Sequence, residues 1–205
     1  MEKVLVVATF NPHKAAEIRA ILPGLPCVLK PLADFPGAVP AEEDGGTLEA
    51  NAIKKALAAA RFTGLWALAD DTGLEVDALG GAPGVFSARF AGENSTPAAN
   101  NAKLLAGLAG VPPAGRSARF ACVVALASPA GKLLVSRGAL EGRIAGAPRG
   151  NNGFGYDPLF EIIGSGKTLA ELSEAVKNGF SHRALALRSL LPELGKLWPA
   201  RAPGK

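Results

Sequence analysis

The run Thr9-Phe10-Asn11-Pro12-His13-Lys14 joins an apolar stretch to a helical pattern. A strand-to-helix turn of this kind aims unsatisfied backbone N–H groups and the positive end of a helix dipole at one spot, which favours a phosphate. Lys14, one short step into the helix, adds a point charge. The acidic loop Glu42-Glu43-Asp44 follows; alone, such a cluster is more often just solvated than functional. Asp70-Asp71-Thr72-Gly73 comes after a second short apolar run. Two adjacent carboxylates at a strand end, with a glycine turn behind them, suit an oxygen-ligand Mg²⁺ site completed by phosphates. Phe154-Gly155-Tyr156-Asp157 sets two aromatic rings about a glycine, a surface on which a base stacks for about 1–3 kcal/mol. Lys177 and Ser181-His182-Arg183 add donors, the last two at a helix start.

Of two look-alikes, the first fails and the second is the weaker reading. Gly166-Lys167-Thr168 imitates the end of a phosphate loop, but the first glycine of that motif would fall on Glu161. A phosphoaspartate nucleophile loop needs aspartates two apart, and Asp70 and Asp71 are adjacent.

The elements that must hold these residues read as follows. Residues 4–8 form a continuous apolar run, as in a strand covered on both faces. Asn11 caps, and Pro12 opens, a helix that ends at Pro23-Gly24. A short strand over 27–29 precedes a loop over 33–46. Residues 47–62 form the clearest helix, with Leu48, Ala52, Ala56, Leu57 and Ala60 on one face and Lys54, Lys55 and Arg61 mostly off it. Residues 66–69 form a short strand. Thr96-Pro97 opens another helix, residues 120–127 and 132–137 make a hairpin, 146–158 is a glycine-rich loop, and Ser181 caps a last helix running to 194.

Strands interleaved with helices argue for a layered α/β domain, and the hairpin makes its sheet mixed. The 205 residues suit one domain over 1–198, followed by a basic tail over 199–205 that frays. Hydrophobic residues at 48% and charged residues at 20% exclude wholesale disorder. No run reaches the roughly 18 apolar residues of a membrane span, and nothing reads as a signal peptide, so a cytoplasmic protein is expected. Cys27 and Cys122 stand far apart in apolar runs, which excludes a disulfide framework and a CxxC zinc site. A net charge of +4 is compatible with an anionic partner, but the lysines and arginines are dispersed instead of forming the basic stripe of a nucleic-acid-binding module.

Taken in order, these segments resemble the non-canonical purine nucleoside triphosphate pyrophosphatases (inosine/xanthosine triphosphatases), along residues 4–194. The run Ala-Asp-Asp-Thr-Gly-Leu-Glu-Val-Asp-Ala-Leu-Gly-Gly-Ala-Pro-Gly-Val at 69–85 carries the resemblance most strongly, with Phe-Gly-Tyr-Asp-Pro-Leu-Phe at 154–160 and Ser-His-Arg at 181–183. The resemblance implies a layered α/β/α fold with a long mixed sheet and two lobes around a central nucleotide-binding cleft, commonly as a homodimer. It implies Mg²⁺-dependent hydrolysis of ITP, dITP and XTP to a monophosphate and pyrophosphate, with no nucleic-acid or membrane partner. By matching position, Thr9, Asn11 and Lys14 would bind the triphosphate, lined by Phe10, Pro12 and His13. Asp71 would be general base and metal ligand, with Glu42 (Glu43 if the match slips by one) as second ligand. Thr72, Phe154, Gly155, Tyr156, Asp157, Lys177, His182 and Arg183 would contact substrate. The chain departs from the family at Phe10, where glycine is common, at Thr72, where serine is usual, and at Ala184-Leu185. A septum-inhibitor-type pyrophosphatase would share the architecture but lacks the Ser-His-Arg and Phe-Gly-Tyr-Asp pairing. A nucleotide sensor would have lost the metal acids.

Overall fold

The computed structural model describes residues 3–198; the basic tail expected over 199–205 lies outside them. The chain divides into two compact units. One comprises the residues up to Asp71, Val123–Gly138 and the segment from Arg183; the other comprises Thr72–Cys122 and Ala139–His182. The fold is mixed α/β.

In the first unit β1 (Val4–Val7) pairs in parallel with β2 (Val28–Pro31), from Val4 opposite Val28 to Val7 opposite Pro31. On its other edge it pairs in parallel with the start of β3 (Trp66–Val76), Leu5 opposite Trp66. Successive strand residues point to opposite faces, and Leu5, Val6 and Val7 are all buried, so both faces of β1 are covered. Asn11 caps α1 (Pro12–Ile21) as its sequence predicts. Thr47 caps α2 (Leu48–Thr63), and Gly64, at φ 68°, closes it with an N–H bond to Ala60. Ala52, Ala56, Ala59 and Ala60 form the buried stripe of α2.

The second unit is nucleated by Leu74, Leu104, Phe120, Leu159, Phe160 and Leu169, all buried together. Here β3 pairs antiparallel with β4 (Pro83–Gly84), and Thr96 caps α3 (Pro97–Gly107). The hairpin is β5 (Ser117–Ala127) and β6 (Leu133–Ile144), longer at both outer ends than expected. Antiparallel to β6 lies β7 (Phe160–Ile162). Gly142 on β6 is obligatory: a Cβ would sit 2.4 Å from the Phe160 ring and 2.6 Å from the Glu161 carbonyl.

Three elements differ from their sequence reading. The strand expected over 66–69 continues to Val76, because Leu74 and Glu75 pair with Gly84 and Pro83 and the Leu74 N–H donates to Ser87 Oγ at 2.8 Å. Asp70-Asp71-Thr72-Gly73 is therefore strand, without a turn behind the acids. A further helix, α4 (Glu174–Phe180), capped by Ser173, carries Lys177. The helix expected from 181 to 194 is two, α5 (His182–Ser189) and α6 (Leu191–Leu197), with Pro192 in the first turn of the second. Proline lacks the N–H that would bond the Arg188 carbonyl and continue α5.

Candidate active site

In the first unit the chemistry centres on β3. Because Asp70 and Asp71 are consecutive in a strand, their side chains point to opposite faces, and each has its own set of partners. Asp70 meets Lys14 at 3.3 Å and takes two bonds from Arg183, from Nε at 3.1 Å and Nη2 at 2.9 Å. The third arm of the Arg183 guanidinium binds Glu17 on α1. Burial alone would raise the Asp70 pKa, but Lys14, Arg183 and Lys55 outweigh it and hold the carboxyl well below the usual range. Asp70 is thus an anion at neutral pH, fixed in an ionic cluster.

Asp71 has the opposite character. Its Oδ2 accepts from Asn51 Nδ2 at 3.2 Å and its Oδ1 from Lys55 Nζ at 2.9 Å. Lys55 also binds Glu43 at 2.6 Å. Burial pushes the Asp71 carboxyl up; Lys55 and Lys14 only partly offset this, and Glu43 adds to it. A carboxylate so raised is a better base near neutral pH than an ordinary aspartate. Burial would lower the Lys55 pKa, but Asp71, Asp70 and Glu43 raise it, so Lys55 stays a cation.

Sequence reasoning missed Asn51 and Lys55. They lie four apart on α2, one turn above the other, with the Lys55 side chain 11% exposed although the pattern put it off the buried face. Asn51 is buried and its Oδ1 accepts the Gly45 N–H at 2.8 Å, tying the acidic loop to the same amide that donates to Asp71. A buried asparagine and lysine at helical spacing on an alanine-rich stripe is the signal that could have found them. Among the acids of that loop, Glu43 shares a cation with Asp71. Glu42 lies 3.9 Å from Lys54 with its side chain 87% exposed.

The strand-to-helix turn has its own caps. Thr9 Oγ1 accepts the Asn11 N–H at 3.1 Å, and Asn11 Oδ1 accepts those of His13 and Lys14 at 2.9 and 3.2 Å. Two of the donors expected to face a phosphate are thus engaged by Asn11. Phe10, Pro12 and His13 are exposed. Among the described residues Asn94 is the one non-glycine with positive φ, so Phe10 takes the place of glycine without backbone strain.

In the second unit Asp157 organises the aromatic segment. Its Oδ2 accepts the Phe154 N–H at 3.0 Å and Lys177 Nζ at 2.6 Å, and that ammonium lies 5.0 Å from the centre of the Phe154 ring. Gly153, at φ 73°, has no room for a Cβ, which would fall 2.0 Å from Asp157 Oδ2. Asn101 on α3 donates to the Gly155 carbonyl at 3.1 Å. Tyr156 is buried in the core with its hydroxyl donating to Ser87 O at 2.8 Å, so its ring anchors the segment, and Phe154, half-buried, is the ring with surface to offer. His182 is buried and stacked on Phe120, 4.7 Å between ring centres. Thr72 is half-buried on β3.

No helix among the described residues is long and apolar enough to cross a membrane. The Ham1 family model matches residues 5–193. A dITP/XTP pyrophosphatase of Geobacter sulfurreducens is 56% identical over 191 residues, covering 93% of this chain and 96% of that protein. Another, from Desulforamulus reducens, is 52% identical over 194 residues, covering 95% of this chain and 96% of its own. The solved Ham1 protein of Coxiella burnetii superposes with a TM-score of 0.86 at 44% identity, over 95% of this chain and 99% of that one. That of Staphylococcus aureus gives 0.84 at 39% identity, over 95% and 100%. With matches spanning almost its whole length in both sequence and structure, the chain belongs to the Ham1 family.

Proposed function

We propose that this chain is a nucleoside triphosphate pyrophosphatase that hydrolyses dITP, ITP and XTP to the monophosphate and pyrophosphate, clearing non-canonical purines from the cytoplasmic nucleotide pool. The observation that carries the reading is its near full-length similarity to proteins named dITP/XTP pyrophosphatase.

Glu43 and Asp71 both reach the Lys55 ammonium, so two carboxylates converge where a cation belongs, and oxygen-only donors fit Mg²⁺ completed by phosphates. Glu43, and not Glu42, is on this reading the partner of Asp71. Bound there, Mg²⁺ would neutralise charge on the triphosphate and on the leaving pyrophosphate. Asp71 takes the proton of the water that attacks the α-phosphorus, as the P–O bond to the β-phosphate breaks. Each of its oxygens can accept a second hydrogen bond beside those from Asn51 and Lys55. Lys14, with Thr9 and Asn11 shaping its turn, steadies the phosphates. Phe154 offers one ring face to the purine, with Lys177 over the ring and Asp157 fixing both. Gly155, Tyr156 and Thr72 set the backbone around the base and sugar, and His182 and Arg183 hold the start of α5. A donor aimed at the 6-oxo group would meet the adenine 6-amino group donor to donor, which costs about 1–3 kcal/mol. We propose a homodimer, which sedimentation would read as twice 20.8 kDa.

The test is pyrophosphate release from ITP, dITP, XTP, ATP, GTP and dTTP, with and without Mg²⁺. Mg²⁺-dependent release confined to the first three supports the reading. Release of orthophosphate instead, or no turnover of any of them, overturns it.

A further inference from the structure

Away from the residues assigned above, the second unit holds a pocket of about 290 Å³ lined by Arg116, Arg143, Arg149 and Glu161, with Pro113 and Ile144 among its apolar walls. Three guanidinium groups face Glu161, with a second carboxylate, Glu171, beside Arg149, an excess of one positive charge. Arg143 and Arg149 are exposed at the surface, yet all three arginines are held by hydrogen bonds. Arg116 is clamped behind α3, its Nε donating to the Val111 carbonyl at 2.9 Å and its Nη2 to the Leu108 carbonyl at 3.1 Å. Buried Glu161 holds the other two: Arg143 donates to its Oε1, from Nε at 2.7 Å and also from Nη2, and Arg149 Nη2 donates to its Oε2 at 2.9 Å. Arg149 also donates to the Gly166 carbonyl at 3.0 Å and lies 3.4 Å from Glu171.

These bonds leave N–H groups on each guanidinium, since each carries five donors in a planar fork. Forks already held in place lose little side-chain entropy when a ligand arrives, and tetrahedral oxyanions match their geometry. From this we infer that the pocket walled by Arg116, Arg143 and Arg149 is a second, non-catalytic binding site for a phosphate-type oxyanion such as pyrophosphate. The pocket exceeds what one phosphate fills and has an apolar wall, so a diphosphate or phosphate ester suits it better than orthophosphate. The assignment does not depend on the reaction proposed above.

The experiment is a pyrophosphate titration of the full chain in metal-free buffer containing a chelator, read by the NMR signals of the arginine Nε–H groups. Orthophosphate and a nucleoside monophosphate serve as parallel probes. Expected are saturable shifts at Arg116, Arg143 and Arg149 that weaken with added salt. Arg143→Gln should weaken the dissociation constant read at Arg116 at least about tenfold, as for one lost charged contact. Arg143→Lys, which keeps the charge that Glu161 needs, should recover part of the loss and guards against a folding defect. Unmoved Arg116 and Arg149 signals, or equal affinity in the wild type and Arg143→Gln, would overturn the assignment. So would shifts confined to the Arg183 signal, which would place the anion in the first unit instead.

Discussion

Replacing Arg183 by methionine would test whether the ionic cluster at Asp70 is a stabilising element with a definite pH signature. The guanidinium is 1% exposed and serves two buried carboxylates, Asp70 with two bonds and Glu17 with one. At an effective dielectric constant near 20, each charge pair at about 3 Å has a gross attraction of roughly 5 kcal/mol. Much of that is offset by desolvation, so the measurable quantity is the cost of stranding the partners. For a buried pair broken on one side this is about 3–5 kcal/mol, although Asp70 would keep Lys14 at 3.3 Å. In a chain of this size that corresponds to a melting point lower by roughly 6–20 °C.

The pH dependence has a fixed sign. Depression of the Asp70 pKa in the folded state gives stability that is present above the unfolded value of about 3.9 and is lost as pH falls through the folded value. Arg183→Met removes much of that depression. The gap between wild type and variant should therefore be widest near neutral pH and narrow as pH drops below about 4. Urea unfolding of both proteins across that range is the assay. A gap under about 1 kcal/mol at pH 7, or one that widens in acid, would refute the reasoning.

Three further outcomes follow from the same geometry. Burial raises the Asp71 pKa and Lys55 is the main group opposing it, so in metal-free protein the Asp71 carboxyl, followed by NMR, should titrate above ordinary aspartates and higher still in Lys55→Met; a titration that does not move would undo this account of its surroundings. Glu43→Gln should raise the Mg²⁺ concentration needed for half-maximal rate several-fold more than Glu42→Gln, since only Glu43 shares a cation with Asp71; equal effects would undo that assignment. Gly153→Ala would drive a Cβ to 2.0 Å from Asp157 and strain a backbone at φ 73°, costing more than about 1 kcal/mol and raising KM for the nucleotide as Phe154 loses its anchor. Unchanged stability and KM would show that Asp157 does not set that segment.

Local chemistry was legible wherever one residue settles a backbone question. Asn11 with Pro12 and Thr96 with Pro97 mark helix starts that the structure reproduces, because caps act through bonds two or three residues away. What escaped the sequence depended on distant partners. Asp-Thr-Gly reads as a turn until Pro83 and Gly84 pair with the residues beyond it. Lys55 reads as a solvated charge until Asp71 and Glu43 supply its partners, and Tyr156 as a stacking ring until the Ser87 carbonyl takes its hydroxyl. The split between α5 and α6 was visible in Pro192, whose missing N–H cannot continue the ladder of α5 whatever the leucine spacing suggests.

The two aspartates of β3 show how strand parity acts as a sorting device. Identical side chains one position apart become an acid held ionised at neutral pH by its cations and an acid pushed by burial toward exchanging a proton, with no covalent difference between them. A single-residue insertion ahead of Asp70 would move the first aspartate to the second's address and the second to that of Thr72. Such a chain would keep the Asp-Asp signature in any alignment, yet leave Arg183 and Lys14 without the carboxylate they surround.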